Sequence, residues 1–316
     1  MKTCLVTGGA GFIGSHLVDT LLHKGYRVCV VDNLSTGKKK NINPRALFYK
    51  TDIQSSEISK IFKKEKPDFV FHFAAQIDVR KSVADPAKDA ETNIIGSLNI
   101  LENCKHHGVK KIIFASTGGA IYGEANIVPT LESYTPLPLS PYGVAKFSVE
   151  QYLQYYLKVF QLPFVVLRFA NVYGPRQDSK GEAGVVAIFT GAMLSGKRPI
   201  IYGTGKQTRD FVFVDDVVEA SLCALKGKQT GIFNIGTGKE TTINEIFSVI
   251  KNLTKSSAKK IYGPTRSGEQ QRSCLDCSLA KKEFGWRPTR TLLQGLEKTV
   301  EWFKNDPFDS AQGHGE

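Results

Sequence analysis

With 316 residues and 41% hydrophobic content, the chain is long enough for one large α/β unit plus a smaller lobe, and disorder as the main state is excluded. The formal charge of +12 comes from scattered lysine clusters at 38–40, 63–66, 110–111 and 259–260 with no interleaved aromatics, which argues against nucleic acid and for a solvated basic surface able to attract an anionic substrate. Met1-Lys2-Thr3 runs straight toward glycines and no apolar run reaches bilayer length, so a cytoplasmic protein with no leader and no membrane contact is expected.

Residues 3–7 predict the first strand, and Gly8-Gly9-Ala10-Gly11-Phe12-Ile13-Gly14 follows it with G-x-x-G-x-x-G spacing. Glycines at a strand-to-helix turn let the backbone approach a pyrophosphate, and the free N–H groups of the next helix face the phosphates. Residues 12–24 carry the amphipathic pattern of that helix, and 27–32 predict a second strand ending on Asp32. A carboxylate there accepts hydrogen bonds from adenosine ribose hydroxyls and repels a 2′-phosphate, which favours NAD over NADP. The lysines at 38–40 pull the other way, because a nearby cation could host that phosphate.

Further strands are predicted at 47–50, 69–73, 111–116 and 164–169, with helices at 56–64, 86–107 and 142–160. Apolar strands separated by helices predict an α/β fold, a doubly wound parallel sheet of Rossmann type covering residues 1–170. Beyond that the pattern turns to Gly, Pro and short elements, so 171–316 is expected to form mainly a smaller α/β substrate-binding lobe, with 207–236 able to return to the sheet through 231–234. Residues 309–316 read as a loose tail. Of the six cysteines only Cys274 and Cys277 have metal-like spacing, and without a second Cys or His pair no metal is expected.

Two segments carry candidate chemistry. Ser140-Pro141-Tyr142-Gly143-Val144-Ala145-Lys146 sets Tyr142 and Lys146 four apart on one face of a helix that Ser140 caps and Pro141 opens. An unperturbed tyrosine titrates near about 10, so acting as a base near neutrality needs help, and a lysine ammonium, a nicotinamide cation and the helix N-terminus all favour the phenolate. Phe114-Ala115-Ser116-Thr117-Gly118-Gly119 ends the 111–116 strand at the carboxyl edge of the sheet, where either hydroxyl could bond the substrate oxygen or cap a turn.

These residues, together with Asp52-Ile53, His72-Phe73-Ala74-Ala75, Asn93-Ile94-Ile95-Gly96, residues 168–175, Arg209-Asp210-Phe211 and Arg266-Ser267-Gly268-Glu269, make the chain resemble the extended short-chain dehydrogenase/reductases, the NAD-dependent epimerase/dehydratase family, in its UDP-glucose 4-epimerase branch. The likeness implies that NAD is held by Gly8, Gly11, Phe12, Ile13, Gly14, Asp32, Asn33, Ser35, Thr36, Gly37, Asp52, Ile53, Phe73, Ala74, Ala75, Asn93, Ser116, Tyr142, Lys146 and Ala170. It implies that Thr117, Tyr142, Asn171, Tyr202, Arg209, Arg266, Glu269 and Ser273 meet a UDP-sugar. Thr117, Tyr142 and Lys146 would then catalyse 4-epimerisation of a UDP-hexose through a transient 4-keto sugar, with Ser116 an alternative to Thr117.

One departure is Gly118-Gly119, which lengthens the loop by a residue and leaves no acid/base side chains where dehydratases of the family carry an Asp-Glu pair. Uronic-acid epimerases and decarboxylases share the same first step and stay open as alternatives. So does a non-catalytic NAD-binding sensor, which would have no need of the three catalytic residues together. A small Ser273, by resemblance beside the sugar C2 substituent, predicts room for N-acetylated hexoses. The family's habit of pairing two long helices implies a homodimer through 86–107 and 142–160, although the stripe Tyr152, Tyr155, Tyr156, Val159 is equally compatible with a core.

Overall fold

Apolar, β-branched runs too short to be helices become the strands, and the amphipathic stretches between them become the helices. The computed structural model describes residues 1–179, 184–265 and 270–306, so the tail expected at 309–316 lies outside the described residues. Its first half runs β1 (Thr3–Thr7), α1 (Phe12–His23), β2 (Arg27–Asp32), β3 (Leu47–Lys50), α2 (Glu57–Glu65), β4 (Phe69–His72), α3 (Val79–Ala84), α4 (Pro86–Ala90), α5 (Gly96–His106), β5 (Lys111–Thr117), α6 (Gly118–Ile121), α7 (Pro141–Phe160) and β6 (Phe164–Phe169). The second half runs β7 (Asn171–Tyr173), α8 (Val185–Leu194), β8 (Ile200–Tyr202), β9 (Thr208–Arg209), β10 (Phe211–Phe213), α9 (Val214–Lys226), β11 (Gly231–Ile235), β12 (Thr241–Thr242), α10 (Ile243–Thr254), β13 (Ile261–Gly263), β14 (Arg272–Ser273), α11 (Ser278–Phe284) and α12 (Leu292–Asn305).

The central sheet has seven strands in the order β11-β6-β5-β4-β1-β2-β3, and its neighbours pair in parallel. Every residue of β1, β4 and β6 is buried, the continuous apolar reading that helices on both faces require. One core packs Leu17, Val18 and Leu21 of α1 with Val217 and Leu222 of α9 against the sheet. The other packs Ile58 and Phe62 of α2, Ile100 and Leu101 of α5, and Val149 and Leu153 of α7 against the opposite face. A third core, with Phe189, Ile246, Phe247 and Leu296, holds α8, α10 and α12 together.

From β1 the chain moves outward through β2 and β3, then crosses back to β4 on the other side of β1. The crevice that opens where strand order reverses lies at the carboxyl ends of β1 and β4, and the glycine turn sits there.

One expectation needs correction. The segment 86–107 is helical, but a π-helical turn, Glu91–Ile95, separates α4 from α5. The second half has the expected short elements, strands of two or three residues at β7 to β10 and β12 to β14, beside longer helices: α8, α9, α10 and α12 have 10, 13, 12 and 14 residues. Two of these begin with reciprocal capping boxes, Thr242 with Glu245 and Thr291 with Gln294, a Thr-x-x-Glu/Gln signature that was legible in the chain.

Candidate active site

The turn after β1 forms because Gly8 adopts φ +72°, and a Cβ there would stand 2.7 Å from the Ala74 amide nitrogen. The bare backbone thus brings the glycine turn against the segment leaving β4. Thr7 welds the two: its Oγ1 accepts the N–H groups of Phe73 and Ala74, both at 3.1 Å, and lies 2.7 Å from His72 Nδ1. With both amides donating to it, the hydroxyl gives its own proton to Nδ1, which places the imidazole hydrogen on Nε2, 2.8 Å from Ser97 Oγ. Burial, reinforced by the Lys146 charge, pushes the His72 pKa down to about 3, so the ring stays neutral.

Asp32 is buried at the end of β2. It accepts from the Ala10 N–H at 3.0 Å and the Leu34 N–H at 2.8 Å, tying the glycine turn to the loop that carries Asn33, Ser35, Thr36 and Gly37. Burial raises its pKa. Asp52 holds the same loop through Asn33 Nδ2 at 2.7 Å, and Ile53 is buried beside it. Lys38 pairs with Asp178 at 3.5 Å and Lys40 with Asp306 at 2.6 Å, so two of the three lysines that argued for a 2′-phosphate are engaged elsewhere. The Asn93 amide is committed within the protein, donating to Gln76 O at 2.9 Å and Asp89 Oδ1 at 3.0 Å while accepting the Gln76 N–H at 2.9 Å. It anchors Gln76, the residue that follows the Phe73-Ala74-Ala75 segment.

Helix α7 starts as its sequence dictates, with Ser140 Oγ accepting the Gly143 N–H at 3.2 Å and Pro141 in the first turn. Lys146 is buried and donates to Ala115 O at 2.9 Å, clamping the helix to the end of β5. Its ammonium lies 5.9 Å from the Tyr142 ring centroid and 4.7 Å from that of Phe114. Burial lowers the Lys146 pKa to about 8, against the opposing pull of Asp89 and Glu150. Tyr142 departs from expectation: the protein's own groups raise its pKa, through burial first and then the Asp89 carboxylate.

The two candidate hydroxyls part company here. Ser116 Oγ donates to Glu150 Oε1 at 2.6 Å and is buried, so its side chain faces the interior and not a ligand. Thr117 ends β5, is half-buried, and its hydroxyl has no hydrogen-bond partner among the described residues. Gly118 opens α6 where a Cβ would press on the buried Leu275 side chain, so a larger residue there requires Leu275 to shift.

In the second half, Ala170 donates its N–H to Ile235 O at 2.9 Å, and Asn171 Nδ2 is buried with no partner among the described residues. The β9–β14 pairing sets Ser273 directly opposite Arg209, and Tyr202 ends β8 opposite Gly263. Arg266 and Glu269 lie outside the described residues.

Sequence reasoning missed the polar frame behind these groups. Arg168, 2% exposed, donates to Glu150 Oε1 at 3.0 Å and Oε2 at 2.6 Å, and to the Tyr122 hydroxyl at 2.7 Å. A charge inside the apolar run Phe164–Phe169 was the signal, since it demands a buried partner. Asp210, fully buried, accepts from Thr237 N–H and Oγ1, Gly238 N–H and Leu275 N–H, pinning the loop after β11 to the segment before α11.

Comparison with known proteins agrees with this geometry. The profile of the "NAD dependent epimerase/dehydratase family" matches residues 4–236. A crystal structure of a UDP-glucose 4-epimerase from Thermotoga maritima with UDP-glucose is 52% identical with a TM-score of 0.95, covering 96% of this chain and 99% of that one. The UDP-glucose 4-epimerase of Thermus thermophilus in complex with NAD is 42% identical with a TM-score of 0.92, covering 96% and 99%. The UDP-glucose 4-epimerase of Mycolicibacterium smegmatis is 42% identical over 313 residues, 96% of this chain and 99% of that one.

Proposed function

The chain belongs to the NAD dependent epimerase/dehydratase family, and from that premise we propose that it is an NAD-dependent isomerase interconverting UDP-hexoses at C4, UDP-glucose with UDP-galactose and, given a small Ser273, their N-acetyl forms. The observation that supports the reading is the clamp of Lys146, one helical turn from Tyr142, onto Ala115 of β5, two residues before Thr117.

The residues fit the cofactor. Gly8 leaves a cradle that a side chain would fill, and Asp32, Asn33, Asp52, Ile53 and the Phe73-Ala74-Ala75 segment line the path an adenosine diphosphate would take from the turn. When bound, NAD would supply a reversible hydride acceptor beside the sugar C4, allowing that carbon to be oxidised to the ketone and reduced again. Tyr142 accepts the 4-OH proton and later gives it back. The Lys146 ammonium lowers the cost of the phenolate, and the Thr117 hydroxyl donates to the oxygen whose charge develops. Asn171 has a buried amide nitrogen with no partner among the described residues, and Arg209 stands opposite Ser273 across the β9–β14 pairing; an amide and a guanidinium are groups suited to a diphosphate that is held while the sugar turns.

The chain is further read as a cytoplasmic homodimer. Val144, Tyr152, Tyr155, Val159 and Phe160 on α7, with Ile95 just before α5, are exposed apolar side chains, and they would supply the contact. Light scattering at the elution peak tests the dimer. Incubation with UDP-glucose, UDP-galactose and their N-acetyl forms, followed by chromatography and mass measurement, tests the reaction: interconversion without mass change is expected, and a mass change would move the protein to a decarboxylase or dehydratase.

A further inference from the structure

We propose that Asp89 is a positioning residue for the Tyr142–Lys146 pair, a buried carboxylate whose charge supports the Lys146 ammonium and keeps the proton on Tyr142 until cofactor and substrate are in place. The proposal rests on the catalytic reading above.

Asp89 lies in α4 and is 2% exposed. One oxygen, Oδ1, accepts from Gln76 Nε2 at 2.8 Å and Asn93 Nδ2 at 3.0 Å. The other, Oδ2, is buried and has no partner among the described residues. An asparagine would serve the Gln76 and Asn93 contacts equally well through its carbonyl oxygen, so the hydrogen bonds do not account for a charge. A carboxylate left half-satisfied in the interior is costly, and the charge has to be offset by what it does to neighbours.

Those neighbours are on α7. Asp89 shares the wall of a cavity of about 510 Å³ with Ser140, Pro141 and Ala145, the residues that flank Tyr142 and Lys146. The Tyr142 N–H also meets Ser82 Oγ of α3 at 3.4 Å, which fixes the start of α7 over α3 and α4. The remaining charges around the pair are accounted for. Glu150 on α7 is neutralised by Arg168 of β6, His72 of β4 is neutral, Asp78 at the start of α3 is paired with Arg80, and Arg80, Lys81, Asp85, Lys88 and Glu91 on and around α3 and α4 are exposed. Among the described residues, no ion pair joins Asp89 to a cation, which leaves the buried Lys146 as the charge it acts on. In keeping with that, it opposes ionisation of Tyr142 and favours the charged form of Lys146.

The chemistry needs both effects. Tyr142 must have lost its own proton to solvent before it takes the one from the 4-OH, so the bound nicotinamide cation and Lys146 have to outweigh the Asp89 charge, which in turn keeps the phenolate basic enough to accept that proton. A buried lysine that must stay charged needs a nearby anion.

The test compares the holoenzyme of wild type, Asp89→Asn and Asp89→Glu by the pH profile of kcat/KM and by ultraviolet titration of tyrosinate, with Tyr142→Phe subtracted to isolate the one phenol. Asp89→Asn should move the acid limb to lower pH, so that on that limb it runs about three- to tenfold faster relative to its own plateau, and the Tyr142 titration should move the same way. Asp89→Glu, which keeps the charge, should follow wild type. Should asparagine destabilise the fold, the smaller neutral Asp89→Ser gives the same reading. Superimposable curves for wild type and the neutral variant overturn the proposal, as do equal shifts in Asp89→Asn and Asp89→Glu, which point to packing instead. A wild type that converts no nucleotide sugar overturns the catalytic reading alone, because the tyrosinate titration still reports on Asp89.

Discussion

Ser116 Oγ donates a 2.6 Å hydrogen bond to Glu150 Oε1 inside the protein, while the next hydroxyl along β5, that of the half-buried Thr117, has no hydrogen-bond partner among the described residues. Alternation along a strand sends adjacent side chains to opposite faces, so one of the two had to turn inward. Thr117→Val should lower kcat by roughly 100-fold, the usual cost of one transition-state donor. Ser116→Ala should leave turnover within a few-fold and cost about 1 kcal/mol of stability. Steady-state kinetics and thermal melts separate the two, and an inactive Ser116→Ala beside an active Thr117→Val would reverse the assignment.

Removing the phenolic oxygen removes the base and little else. Tyr142→Phe should cut kcat by about 10²- to 10⁴-fold with an unchanged melting temperature. The alkaline limb of wild type should belong to Lys146, whose pKa burial has brought to about 8. Below that pH the ammonium is present to hold the phenolate; above it the charge is lost and activity falls. Lys146→Arg, which stays charged, should abolish that limb even if it lowers the plateau, and a limb that persists unmoved would remove Lys146 from the role.

Asp32 should do two jobs with one carboxylate. It already accepts two backbone N–H groups, yet each oxygen keeps a lone pair for a ribose hydroxyl. With Lys38 and Lys40 paired to Asp178 and Asp306, NAD should bind at least tenfold more tightly than NADP. Calorimetric affinities check this, and equal values would show that the lysine cluster has taken over the contact. Asp32→Asn should narrow the ratio by raising NADP affinity more than it lowers that of NAD.

His72 makes the fold sensitive to acid. Its pKa is about 3 in the folded protein and about 6.5 when unfolded, so between those values the unfolded chain holds a proton that the folded one lacks. Stability should therefore fall as pH drops from about 6.5 toward about 3, with no contribution from this group above that window. The difference in melting temperature between wild type and His72→Asn, followed from about pH 7 to about pH 4, isolates the effect from the carboxylates: the gap should close as pH falls. A gap that is constant with pH would show that the ring titrates normally.

The parts of the fold written in periodicity were legible. The six strands read from 3–7 to 164–169 match β1 to β6 within a residue at either end, and the run at 231–234 is indeed the edge strand β11. Strands β8, β9, β12, β13 and β14 have two or three residues each and exist through pairing partners distant in sequence, so no local pattern could announce them. The same holds at the site. Tyr142, Lys146 and the glycine turn carry local signatures, whereas Asp89, Glu150 and Asp210 acquire meaning only from neighbours that folding brings to them.

The Glu150–Arg168 pair shows what such a frame contributes. Its side chains are 0% and 2% exposed, and it joins α7 to β6 while Ser116 and Tyr122 close the remaining valences. Taking both ions out of water is expensive, so the pair's net worth is small, but breaking it leaves an uncompensated charge. Glu150→Ala should therefore destabilise by about 3–5 kcal/mol, whereas Glu150→Leu combined with Arg168→Met should recover most of that loss. Urea denaturation of wild type and these variants makes the comparison. If the double variant is as unstable as the single one, the frame acts through shape and not through its charges; if it recovers stability yet loses turnover, the pair is kept to hold the α7 backbone, and with it Tyr142, in register with the end of β5.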